Sequence, residues 1–223
     1  MKPVIIACKT IEKEITAAML NQGCEYPVLW LESGLHNWPD KLRDRIQELL
    51  NDCSGYDTVL LAMSFCGNAT VGLHTHDFQL VIPRCDDCIT LLLGSMERRQ
   101  AHFATYFLTE GWLAGENNVW LEYQRCIQKY GEKRGKWIFS TMLAHYKYLA
   151  LVDTGAYDTA SIETEVQNIA RTLDLDYTCI DGTLGYLEKL LCGEWSEEQF
   201  VIIPPNSKVS ESDCTLRGMT NGL

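Results

Sequence analysis

With 223 residues the chain is long enough to bury a sizeable core in one or two domains. Hydrophobic residues at 46% and charged residues at 22% are ordinary for a globular protein, which sets aside fibrous and disordered classes. A net charge of −11 argues against nucleic acid, whose phosphates call for a basic surface, and against an anionic membrane face. No apolar run approaches a bilayer span and the N-terminus lacks a signal-peptide profile, so no membrane partner and a cytoplasmic location are expected.

Taken in order, residues 3–7 form an apolar strand closed by Cys8. Thr10 is placed to cap a helix whose Ile11, Ile15, Ala18 and Met19 share one face. Glu12 and Glu14 fall in its first turns, where the helix dipole favours acids, and Glu14 reads as a solvated surface residue. A second strand over 26–31 leads into a loop over 32–39 that holds His36. Pro39 then opens a helix turning Leu42, Ile46, Leu49 and Leu50 inward. A third strand over 58–65 ends at Cys66, and Gly67, Asn68 and Gly72 mark tight turning before an exposed pair, His74 and His76. The fourth strand, 79–83, runs straight into Arg84, Cys85, Asp86, Asp87 and Cys88, then a short apolar helix closed by Gly94.

The second half repeats the rhythm. Strands are expected at 105–109, 147–152, 177–180 and 199–203. Between them fall helices marked by Val119, Tyr123 and Ile127, by Ile138, Met142 and Tyr146, by Ile162, Val166, Ile169 and Leu173, and by Leu184, Leu187, Leu190 and Leu191. Strands alternating with helices give an α/β fold, a mostly parallel sheet with flanking helices, Rossmann-like. The expected division is one α/β domain over 1–205 and an irregular tail over 206–223. An echo between the segments around Cys88 and Asp181 admits two similar lobes, 1–100 and 101–205.

Ten cysteines in a cytoplasmic chain do not suggest a disulfide framework. Cys24, Cys53, Cys126, Cys179 and Cys192 sit in or beside apolar segments and read as small core hydrophobes, and Cys214 as an exposed tail residue. Cys8, Cys66 and the Cys85–Cys88 turn differ, because each follows a strand. Parallel strands present their carboxyl ends on one side, so these thiols can meet there. Thiolates take zinc or iron–sulfur clusters in preference to hard cations, and the Cys85-x-x-Cys88 spacing suits two ligands across a turn. His36 is a further candidate ligand or proton-transfer group, since histidine titrates near neutrality. The alternative is buried strand-end cysteines in close packing, with Arg84 and helix N-termini holding a small anion, or Arg84 paired locally with Asp86 and Asp87. Phosphate-binding glycine loops, GxSxG and HExxH are absent from the sequence.

Several motifs together resemble a family catalogued as domain of unknown function 1638, found in archaea and bacteria. They are Cys8 with Glu14, Leu35-His36-Asn37-Trp38-Pro39, Phe65-Cys66-Gly67-Asn68, Gly72-Leu73, Leu80-Val81-Ile82-Pro83-Arg84 and Asp87-Cys88-Ile89. Leu91-Leu92-Leu93-Gly94-Ser95, Tyr106 to Trp112, Asp153-Thr154-Gly155 and Gly193-Glu194-Trp195 extend the likeness to about Pro205. In that family the position of Cys85 is more often a histidine, so the matched thiols are Cys8, Cys66 and Cys88. The resemblance implies a context of corrinoid-dependent methyl transfer in anaerobes, with corrinoid methyltransferase components as partners, and supplies no activity. The expectation is a cysteine-ligated zinc or iron–sulfur protein. Cys8, Cys66, Cys88 and Cys85 would be ligands, and His36, Arg84, Asp87, Gly67 and Asn68 would line a small-molecule site. The alternative is a metal-free small-anion binding module or accessory protein.

Overall fold

The computed structural model describes residues 2–214 of the chain. Among them the strands fall into two sheets. The first contains β1 (Pro3–Cys8), β2 (Val28–Leu31), β3 (Thr58–Ala62), β4 (Gln79–Pro83) and β8 (Phe200–Ile203), in the order β2-β1-β3-β4-β8. The first four strands are parallel, and β8 closes the edge antiparallel to β4. The second sheet is β5 (Thr105–Leu108), β6 (Tyr148–Asp153) and β7 (Asp176–Asp181), all parallel. The α/β, Rossmann-like reading holds.

Unbroken apolar runs produce this architecture. β1, β3 and β4 are buried nearly throughout, as strands covered on both faces must be. Helix α1 (Glu12–Gln22) and helix α9 (Gly185–Cys192) pack together, and α9 also touches β3 and β4. Helix α2 (Pro39–Asn51) opens on Pro39 as expected, with Leu42, Ile46, Leu49 and Leu50 buried. Short helix α3 (Cys88–Leu93) is apolar and buried on every side and ends at Gly94, whose φ of 83° is left-handed. Helices α4 (Met96–Ala101), α5 (Glu110–Leu113), α6 (Val119–Tyr130), α7 (Glu132–Met142) and α8 (Thr159–Thr172) accompany the second sheet.

Four details depart from the sequence reading. Thr10 caps no helix: it lies inside a 3₁₀ turn over Lys9–Ile11, and α1 starts without a side-chain cap. In α7 the buried residues are Gly135 and Phe139, whereas Met142 is 57% exposed, because α7 packs on α6 through the smallest residue it has. A methyl at Gly135 would come within 2.8 Å of Ile127 Cδ1. The sheets also divide the chain differently from a 1–100 and 101–205 split. After β7 the backbone returns to the first sheet, where Leu184, Leu187, Leu190, Phe200 and Val201 join the same core as β1. Part of the expected tail is tied down as well: Val209 is buried, Lys208 bridges to His74, and the Gly72 N–H donates to the Val209 carbonyl. Positions 215–223 of that tail lie outside the described residues.

Candidate functional site at the carboxyl ends of the first sheet

The strand order places a switch point between β1 and β3. From β1 the chain crosses to β2 on one side, and from β2 it returns to β3 on the other. In open α/β sheets the crevice outside such a point is where ligands bind. Cys8 ends β1 and Cys66 lies just past β3. A cavity of about 430 Å³ opens there, lined by Cys8, Cys66 and Cys88. His36, Asp86, Asp87, Gly67 and Glu32 also line it, and Trp112 and Tyr146 supply aromatic wall.

Backbone pairing beyond the ladder brings the thiols together. The Phe65 N–H donates to the Cys85 carbonyl at 3.0 Å and the Cys66 N–H to the Asp86 carbonyl at 3.2 Å. The turn after β3 therefore lies alongside the turn after β4. Cys66 has a φ of 46°, left-handed and unusual for a residue other than glycine, and Gly67 and Asn68 continue at 65° and 67°. A side chain on such a sharp strand-end turn is pushed out of the sheet, and the half-buried Cys66 faces the crevice. Ser64, fully buried, places its hydroxyl 3.0 Å from Cys66 Sγ and 3.7 Å from Cys88 Sγ.

The electrostatics separate the thiols. Hydrogen bonding from Cys88 draws the Cys66 pKa below the usual thiol value, with Ser64 adding to it, although burial and the neighbouring cysteines oppose the shift. Cys88 shows the reverse: as the partner that keeps its proton against Cys66, and as a buried group, it is pushed well up. Burial and the nearby Cys88 raise Cys8, whose S–H donates to the Thr10 hydroxyl at 3.2 Å. Burial also lowers His36, which favours the neutral imidazole. Asp86 is raised by burial and by Asp87 beside it.

Asp87 has a structural task. It is the N-cap of α3, its Oδ1 accepting from the Thr90 N–H at 2.7 Å and the Thr90 hydroxyl at 2.8 Å, while Oδ2 stands 3.5 Å from Arg99.

Several sequence expectations change here. Arg84 does not line the cavity; its N–H donates to the Gln199 carbonyl and its guanidinium to the carbonyls of Glu197 and Asp213. The cause is β8, whose antiparallel pairing with β4 draws Arg84 to the opposite flank. Cys85 is fully buried behind the cavity rather than on it, and burial pushes its thiol well up. Asn68 turns outward, exposed, and does not line the cavity. Glu14 is 1% exposed instead of solvated, with the Thr154 hydroxyl 3.4 Å from Oε1 and Oε2 buried without a hydrogen-bond partner. Among the other cysteines, Cys53 is buried as expected. Cys179 and Cys192 are exposed, on the outer strand β7 and at the end of α9, and Cys214 is half-buried against Thr70. Sequence reasoning overlooked Ser64, Trp112 and Tyr146. The signal for Ser64 was its i−2 position to Cys66; Trp112 follows β5 as Cys66 follows β3.

Among the described residues, no group of three or more His, Cys, Asp or Glu side chains is arranged to hold a metal ion. No described helix is long and apolar enough to cross a membrane. The sequence pattern of one family, described as a protein of unknown function (DUF1638), matches residues 30–191. The chain belongs to the DUF1638 family. No curated protein and no solved structure matches it. The part shared with DUF1638 holds His36, Ser64, Cys66, Cys85, Asp87 and Cys88, whereas Cys8 and Glu14 precede it.

Proposed function

We propose that the crevice is a thiol-dependent small-molecule site in which Cys66 is the reactive group. The observation that carries this reading is the setting of Cys66. It sits on a left-handed turn at a strand end, faces a cavity of about 430 Å³, and is held toward the thiolate by Cys88 and Ser64. The thiolate is the nucleophilic form of cysteine, and partial exposure in a site that favours it marks a reactive residue. The ligand is a small neutral or cationic electrophile. Glu32, Asp86 and Asp87 give the lining its charge, and among the described lining residues none is lysine or arginine, so an anion has no counter-charge there. Neutral His36 at the mouth is suited to accept or return a proton. The test is the rate of iodoacetamide labelling, mapped by peptide mass spectrometry. Cys66 is expected to react fastest of the ten cysteines below pH 8, and Cys66→Ser to remove that phase. Equal labelling of Cys66 and the exposed Cys179 would overturn the reading.

A second reading rests on a separate observation, the shared lining of one cavity by Cys8, Cys66 and Cys88. The three side chains are not arranged as metal ligands in the structure, but thiols of this softness, drawn together by side-chain rotation, would suit zinc or an iron–sulfur cluster, which would supply Lewis acidity or electron transfer. A thiolate centre of that kind also fits the corrinoid and one-carbon context that the family resemblance implies. Elemental analysis and a visible spectrum after anaerobic purification decide between the readings. A stoichiometric metal lost on Cys8→Ser supports the second, and metal-free protein with a reactive Cys66 supports the first.

A further inference from the structure

Cys66 and Cys88 are not equivalent in access. Cys66 is half-buried and faces the crevice, while Cys88 is 9% exposed at the first position of α3. The two thiols share Ser64, whose hydroxyl lies 3.0 Å from one sulfur and 3.7 Å from the other. They also act on each other's protons, Cys88 drawing the Cys66 pKa down and Cys66 pushing that of Cys88 up. The backbone bond from the Cys66 N–H to the Asp86 carbonyl, and the Asp87 cap on α3, fix the two turns side by side. The other candidates are placed differently. The Cys8 S–H donates to the Thr10 hydroxyl, and Cys85 is fully buried off the cavity.

We propose that Cys66 and Cys88 form a redox pair, with Cys66 attacking a hydroperoxide in the crevice and Cys88 resolving it to a disulfide. This rests on the reading of Cys66 as the reactive thiol and adds a specific chemistry to it. The Cys66 thiolate attacks the distal peroxide oxygen; an S–O bond forms, the O–O bond breaks, and the alkoxide leaves and takes a proton to become an alcohol. Cys66 is then a sulfenic acid. Cys88 attacks Cys66 Sγ; the S–S bond forms, the S–O bond breaks, and hydroxide leaves with the Cys88 proton as water. Two thiols lose two electrons, and the hydroperoxide becomes one alcohol and one water. An external dithiol returns the pair to the reduced state by exchange. A buried resolving thiol suits this order of events, because the oxidant reaches the exposed partner first and the disulfide closes inward.

The full chain, reduced and held anaerobically, is treated with one equivalent of hydrogen peroxide and mapped without reduction by mass spectrometry. The expected product is a cross-linked peptide joining Cys66 to Cys88, lighter by two hydrogens and restored by dithiothreitol. Cys88→Ser is expected to accumulate a dimedone-trappable sulfenic acid at Cys66. Cys66→Ser is expected to lose the cross-link entirely, and Cys8→Ser and Cys85→Ser to keep it. Recovery of Cys88 as a free thiol while Cys66 is over-oxidised overturns the inference, as does a disulfide that maps to another pair. The underlying reading fails by a different signature. If Cys66 resists iodoacetamide, the nucleophile reading falls and the redox pair that rests on it falls with it. If it labels fast and forms no cross-link, the nucleophile reading stands and only the redox pair falls.

Discussion

At Cys66 opposing influences act on one proton. Burial and the neighbouring Cys8 and Cys85 favour the neutral thiol, while Cys88 and then Ser64 favour the thiolate. The influence of Cys88 and Ser64 prevails, the Ser64 hydroxyl standing 3.0 Å from the sulfur, where a charge-assisted hydrogen bond is worth about 1.5–3 kcal/mol. Ser64 is itself fully buried, so its geometry is fixed by packing. Replacing it by alanine removes one donor from the thiolate and leaves the fold, since the lost atom is a single hydroxyl. Ser64→Ala is expected to move the pH midpoint of Cys66 alkylation upward, and Cys88→Ala to move it further, because Cys88 is the larger influence. The rate of iodoacetamide labelling against pH measures both. An unchanged midpoint in the two variants would mean that the left-handed turn alone sets the reactivity.

At the scale of the element, the unit that organises the site is β4, its turn and α3. The sequence shows that unit clearly. An apolar strand, a charged turn and an apolar helix stopped by Gly94 follow from local chemistry, and each is found where it is expected. The convergence of Cys8, Cys66 and Cys88 was legible for the same reason: parallel strands share a carboxyl edge, and the strands were recognisable. What was not legible depends on partners distant in sequence. Arg84 looked like a ligand clamp because nothing local reveals that β8 pairs beside it. The inward face of α7 was misjudged because packing on α6 selects Gly135 over larger apolar residues. Asp87 lines the cavity and serves as an N-cap as well, a role its place just before the helix already signalled. Asp87→Ala should therefore cost about 1 kcal/mol of stability, measured by urea unfolding. It should also slow cross-linking of Cys66 to Cys88, because the helix start that carries Cys88 loosens. Full stability would return Asp87 to the class of ligand-contact residues.

On the scale of the whole molecule, the two sheets meet along a seam, and Glu14 lies in it. The approach is close: a methyl on Gly111 of α5 would stand 1.9 Å from the Thr10 carbonyl oxygen, so only glycine fits there. Lys13 reaches Glu110 at 2.6 Å across the same seam, and Thr154, just after β6, faces Glu14. Glu14 brings a carboxyl into this contact with Oε2 buried and unpartnered, which an ionised carboxylate tolerates poorly. Burial raises its pKa, the Glu110 charge raises it further, and the Thr154 bond and Lys13 only partly oppose them. The sign of the consequence follows from linkage. Between the unfolded pKa and the raised folded pKa the native state holds the extra proton, so stability falls as pH rises through that window and levels off above it. Glu14→Gln removes the titrating group while keeping the shape and an acceptor for Thr154. Glu14→Gln is expected to match the unmutated protein in melting temperature near pH 4.5, to exceed it as pH rises through the window, and to keep a constant advantage above the raised folded pKa. Differential scanning fluorimetry on the two proteins across that range gives the comparison. Parallel curves would show that Glu14 is ionised in the seam and that a further donor, contributed on folding, satisfies Oε2.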